Sequence, residues 1–118
     1  MCIFCKIVKG EIPSNKVYEN DEFLAFHDIN PKAPIHILVI PKEHVEKFQD
    51  TTPEMMAKMT IFIQELTKKL ELDTRGYRLV VNNGEDGGQE VMHLHFHILG
   101  GTRLIWPQLA PNESKNYL

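Results

Sequence analysis

No stretch of this 118-residue chain approaches the roughly 20 consecutive apolar residues that a membrane-spanning helix requires. The opening Met-Cys-Ile-Phe-Cys-Lys-Ile-Val-Lys-Gly also lacks the long apolar block of a secretory signal. A cytoplasmic protein with no membrane partner is therefore expected. An excess of positive charge is missing as well: 13 Lys and Arg stand against 16 Asp and Glu, for a net charge of -3, and the lysines are scattered. That excludes the basic stripe by which proteins hold nucleic acid. Any phosphate bound here has to be held locally, by backbone N–H groups and histidines. Cysteine is scarce, with two residues in all, which excludes a disulfide framework. Cys2 and Cys5 stand in Cys-x-x-Cys spacing, which in a reducing compartment points to a metal or redox pair.

Nothing repeats and no low-complexity linker divides the chain, so one domain is expected over 1–118, with the polar, proline-broken stretch 107–118 as a surface tail. A core this small favours pairing with a second copy. Residues 16–19, 23–28 and 35–40 read as short strands separated by turn-forming Asn20-Asp21 and Asn30-Pro31-Lys32-Ala33-Pro34. One helix follows, because Met55, Met59, Phe62, Ile63, Leu66 and Leu70 recur at spacings of three and four. Two registers compete for its start. Thr52 before Pro53 fits a cap with proline at the first helical position, and Thr51 with Glu54 fits a capping box one residue earlier. Residues 77–81 and 91–99 then read as strands, with a loop between them. Strands, one long helix and further strands make an α+β domain.

The chemistry concentrates in His93-Leu94-His95-Phe96-His97. Side chains alternate along a strand, so the three histidines share one face, neighbours roughly 6.6 Å apart, while Leu94 and Phe96 anchor the other. An outer polar face would be served equally well by threonine or lysine. Three histidines in five residues suit a group that is neutral and nucleophilic near pH 7 yet able to take a proton. Upstream, the glycines of loop 82–89 can bring backbone N–H groups, those of Gly88 and Gln89 in particular, close to an anion beside His95.

The run Gly87-Gly88-Gln89-Glu90-Val91-Met92-His93-Leu94-His95-Phe96-His97-Ile98-Leu99-Gly100-Gly101 resembles the signature of histidine triad proteins. Ile3-Phe4-Cys5-Lys6-Ile7, Glu11-Ile12-Pro13, Ala25-Phe26-His27-Asp28-Ile29 and Val39-Ile40-Pro41-Lys42 with His44 resemble segments of the branch called histidine triad nucleotide-binding proteins, so the likeness runs nearly to Trp106. The resemblance implies a fold of about five antiparallel strands, one long helix and short helical turns, assembled as a homodimer in which Trp106 reaches toward the neighbouring site. It also implies a purine nucleoside phosphoramidate hydrolase that releases AMP or GMP without a required cofactor. In that scheme His95 is the nucleophile, forming a nucleotidyl-histidine intermediate that water hydrolyses. His97 helps protonate the leaving amine, while His44 and His93 orient the site. Asn82 and Gln89, with the backbone of Gly88 and Glu90, contact the phosphate. Asp28 accepts from the ribose hydroxyls, and Phe4, Ile7, Ile12, Phe26 and Ile29 wall the base pocket. Glu90 departs from the serine usual in animal members of the branch, and its carboxylate repels phosphate unless it turns away. The tail beyond Trp106 has no aligned counterpart.

Cys2 and Cys5 are half of a tetrahedral zinc set that His44 and His93 complete if the N-terminal segment packs beside them, in a structural role. The alternative is a free Cys2 and a small apolar Cys5 lining the pocket. Three rival functions share these residues: a zinc hydrolase using all three triad histidines as ligands, a non-enzymatic nucleotide-binding scaffold, and a dinucleoside polyphosphate hydrolase or nucleotidyltransferase.

Overall fold

The computed structural model describes residues 2–111; of the expected tail, 112–118 lie outside the described residues. Its frame is a five-stranded antiparallel sheet in the order β1-β2-β3-β5-β4. The strands are β1 (Lys16–Glu19), β2 (Phe23–His27), β3 (Ile35–Pro41), β4 (Arg78–Val81) and β5 (Phe96–Gly100). Three helices accompany them: α1 (Ile3–Val8), α2 (Pro53–Lys69) and α3 (Leu72–Arg75). Asn20 makes the first turn by accepting from the backbone N–H groups of Glu22 and Phe23 through its side-chain oxygen.

The continuous apolar runs of β2 and β3 are explained by burial on both faces, as happens when a sheet is covered on each side. On one face Phe23, Ala25, Ile37, Val39, Phe96 and Ile98 pack against Met59, Phe62, Ile63 and Leu66 of α2. On the other, Leu24, Phe26, Leu38 and Ile40 pack against Phe4 and Ile7 of α1. The short α1 covers only part of that second face. The uncovered part is where His36, His97, Leu99 and Val80 are exposed to a cavity.

Of the two registers for α2, the structure takes the later one. Thr52 is the cap, accepting from Met55 N–H at 3.1 Å with Pro53 in the first turn, while the Thr51 hydroxyl donates instead to Phe48 C=O at 2.7 Å. Sequence patterning gave no sign of α1, since six residues are too few to show a helical period. The last strand is shorter than 91–99. Pairing begins only at Phe96, because Leu94 N–H leaves the sheet direction and donates to Val45 C=O at 2.6 Å. His93 and His95 therefore precede the ladder, while Leu94 still reaches the α2-side core.

Leu66 is fully buried and Ile61 is 56% exposed on the same helix. Leu66→Ala should cost about 2–5 kcal/mol in chemical denaturation, by lost burial plus a residual cavity. Ile61→Ala should stay within about 0.5 kcal/mol of wild type.

Candidate active site

His95 is tied to the main chain just ahead of it. It is 7% exposed, and its Nδ1 lies 2.8 Å from the carbonyl oxygen of His93, a group that can only accept. Nδ1 therefore carries the ring proton, and Nε2 presents a lone pair. His97 is fixed by a different relay. Lys32 N–H donates to His36 Nδ1 at 3.0 Å, so the His36 proton sits on Nε2, 2.9 Å from His97 Nδ1. His97 accepts there, and its own proton sits on Nε2, a buried atom with no partner among the described residues. Asp28 flanks this relay, its Oδ2 3.4 Å from His36 Nε2 and its Oδ1 accepting from Asn30 N–H at 2.7 Å. Burial, with the neighbouring His95 and His36 rings adding to it, pushes His97 down to about 4. Burial likewise lowers His36 and His93. At neutral pH His36 and His97 are thus neutral hydrogen-bonding groups in fixed tautomers.

These rings open onto a cavity of about 520 Å³, within the range of small-molecule sites. Of the residues expected to contact substrate, Phe4, Ile7, Phe26, Asp28, Ile29, Asn82, Gly88 and Glu90 line it. Ile12 does not; it packs against the α1-side core. Gln89 is redirected. Its side-chain oxygen accepts from Gly84 N–H at 2.9 Å, and its amide donates to the carbonyls of Glu46 at 2.7 Å and Val91 at 3.0 Å, so it braces the loop from inside. The expected phosphate donors change accordingly. Gly88 N–H donates to Glu85 C=O and Gln89 N–H to Gly84 C=O, both at 3.0 Å, so of the backbone groups expected at the phosphate Glu90 N–H keeps no intramolecular acceptor among the described residues. Gly88, at φ +82°, brings the chain to the cavity in a conformation that favours glycine. A Cβ at Gly87 would overlap the Asn83 backbone.

His44 and His93 do not line the cavity; they join the cysteines. His93 Nε2 donates to Pro41 C=O at 2.8 Å, leaving the Nδ1 lone pair facing Cys2 Sγ at 3.4 Å, Cys5 Sγ at 3.6 Å and His44 Nδ1 at 3.2 Å, with Cys5 Sγ 3.3 Å from His44 Nδ1. Bonds of about 2.3 Å to sulfur and 2.0–2.1 Å to nitrogen give tetrahedral edges of about 3.3–3.8 Å. These residues therefore fit a tetrahedral metal ion. They do not fit the rival in which all three triad histidines bind one metal, since the rings of His93, His95 and His97 turn to three different partners.

Residues 9–104 match the HIT domain family. The chain belongs to the HIT domain family. An uncharacterised HIT-like protein of Helicobacter pylori is 55% identical over 103 residues, spanning 87% of this chain and 99% of that protein. The protein HitA of Neisseria gonorrhoeae is 47% identical over 102 residues, spanning 84% and 94%. Among solved structures, a HIT family hydrolase from Legionella pneumophila superposes with a TM-score of 0.86 at 45% identity, covering 91% of this chain and 98% of its own. A histidine triad protein from Clostridium difficile gives 0.85 at 48%, covering 91% and 96%. Among the described residues of this HIT chain, no helix is long and apolar enough to cross a membrane.

Several lining residues of the HIT site carry no sequence signal, His36 foremost. His36 sits in β3 opposite Leu99, among apolar neighbours, and a single histidine in an apolar strand carries no spacing signal. Leu38, Val80 and Leu99, read only as strand, also line the cavity.

His97 is held far below its usual 6.5, so the folded state resists protonation there. The associated stability is complete above about pH 6.5 and is lost as pH falls toward 4. Thermal midpoints measured from pH 7.5 to 4.5 should drop less for His97→Gln than for wild type.

Proposed function

We propose that this chain is a purine nucleoside phosphoramidate hydrolase of the histidine triad nucleotide-binding branch, cleaving the phosphorus–nitrogen bond through a nucleotidyl-His95 intermediate. The observation that carries this reading is the bond from His95 Nδ1 to the His93 carbonyl, which leaves Nε2 as an unprotonated nucleophile at the rim of a nucleotide-sized cavity. Phe4, Ile7, Phe26 and the 89% exposed Ile29 offer apolar surface to a base. Asp28, between that end and the histidines, accepts ribose hydroxyls. The Asn82 amide and Glu90 N–H meet the phosphate.

Attack by Nε2 exchanges one phosphorus–nitrogen bond for another, so neither half-reaction is steep. His97, held in position by His36, passes its Nε2 proton to the departing nitrogen so that it leaves as a neutral amine, and the water of the next step returns a proton to His97. Water then attacks phosphorus, releases AMP or GMP and restores the Nε2 lone pair. Cys2, Cys5, His44 and His93 hold structural zinc in this reading, and their donor set and spacing support it. Zinc there would staple the N-terminal helix to the strand-3 exit. His44 and His93 orient the site from behind.

The reading extends to a single HIT domain over 1–118, a cytoplasmic location and a homodimer. Pairing of two copies is supported by the exposed edge strand β4 with Leu79 at its surface, and by exposed Ile105, Trp106 and Leu109. Trp106, whose ring stacks 5.0 Å from the Arg78 guanidinium, sits on the segment that would reach the neighbouring protomer.

Incubation with an adenosine phosphoramidate should release AMP catalytically, and His95→Ala should lower kcat by at least about 10³-fold while still binding AMP. Wild type that titrates with AMP but releases none from the phosphoramidate would instead establish a nucleotide-binding scaffold.

A further inference from the structure

The triad segment meets an unusual mechanical problem. A nucleophile gains most when held in one geometry, yet His95 lies just outside the ladder, which begins at Phe96. Sheet hydrogen bonds therefore cannot fix the carbonyl of His93 on which the His95 tautomer depends. Two other ties reach that stretch. Leu94 N–H donates to Val45 C=O at 2.6 Å, and the buried His93 ring is pinned at one nitrogen by Pro41 and faces Cys2, Cys5 and His44 at the other. Both ties bind the segment to the exit of β3.

The same cluster governs α1. This helix has six residues, too few to be stable alone, and Cys2 is its cap, accepting from Cys5 N–H at 3.4 Å. Between the two cysteines projects Phe4, whose ring stands edge-on to His95 at 5.2 Å and to His93 at 5.9 Å. Whatever anchors Cys2 and Cys5 thus acts on the nucleophile by two routes: through the His93 main chain, and through Phe4 against the His95 ring.

We propose that Cys2, Cys5 and His44 are positioning residues for the nucleophile, acting with bound zinc to lock His93 and α1 so that His95 is held in its reactive tautomer and orientation. The inference rests on the reading of His95 as nucleophile. In it, the four ligands lie outside the reacting centre, and their loss weakens the reaction without abolishing it.

The test compares zinc-loaded protein, the same protein stripped by a chelator, and Cys2→Ala, using amide hydrogen exchange alongside kinetics. Stripping should raise exchange at 93–96 as well as at 3–8, by about tenfold or more. It should lower kcat on an adenosine phosphoramidate by about 10–100-fold, as loss of supporting residues around a functional group does. Zinc re-addition should restore both. Cys5→His, which keeps a ligand of the kind zinc accepts, should stay near wild type in both readouts, whereas Cys2→Ala should behave like stripped protein. Faster exchange confined to 3–8 with kcat unchanged would overturn the proposal and leave the cluster as a staple for α1 alone. Complete loss of turnover with a fully protected 93–96 would also overturn it, in favour of a direct catalytic part for the metal. Should wild type hydrolyse no phosphoramidate, the functional reading fails by itself, and exchange at 93–96 still decides whether the cluster locks the segment.

Discussion

The site depends on the hydrogen bond from His95 Nδ1 to the main-chain carbonyl of His93, 2.8 Å long and buried. It settles which nitrogen of the ring bears the proton, and hence whether His95 is a nucleophile or a donor. Much else in the structure secures this one contact. Leu94 is drawn into the α2-side core, His93 is buried and pinned to Pro41, and the ladder resumes at Phe96. A second relay, from Lys32 N–H through His36 to His97, does the same for the neighbouring ring with opposite polarity, leaving an N–H where His95 leaves a lone pair. Two adjacent histidines, similar in chemistry, receive complementary roles from the groups behind them.

Both relays are possible because the sheet is covered unequally. On one side α2 seals a continuous apolar core. On the other, α1 covers part of the sheet and leaves a cavity whose floor is β3, β4 and β5. The histidines stand at the boundary, buried enough for burial to keep His97 neutral, yet open to a ligand on one side. Low charge on these rings is the condition for packing several in one site without mutual repulsion.

Much of this was legible in the sequence. The alternation in His93-Leu94-His95-Phe96-His97 separates core from site, and the turn residues of the first third mark three strands whose observed limits differ from expectation by a residue or less. The glycine loop was legible as a loop, but its donors were not. Which N–H groups of 82–90 stay free depends on internal bonds to Glu85 and Gly84 that spacing does not encode. The partners of the Gln89 side chain were not legible for the same reason: an amide in a glycine loop suits both bracing and binding, and here it turns to the carbonyls of Glu46 and Val91. His36 was invisible because one histidine in an apolar strand reads as core. The Cys-x-x-Cys spacing was legible as half of a four-residue cluster with His44 and His93, and what the sequence could not show is that Cys2 caps α1 and that the cluster shares His93 with the hydrogen bond that orients His95.

The central claim is that His95 Nε2 attacks phosphorus, and the stereochemical course of hydrolysis tests it most directly. An adenosine phosphoramidothioate of known configuration at phosphorus, hydrolysed in isotopically labelled water, reports how many in-line displacements occurred. Attack by His95 followed by attack of water gives two inversions and net retention, which is the predicted result. Net inversion would show that water attacks phosphorus in a single step, and would remove His95 from the role assigned to it.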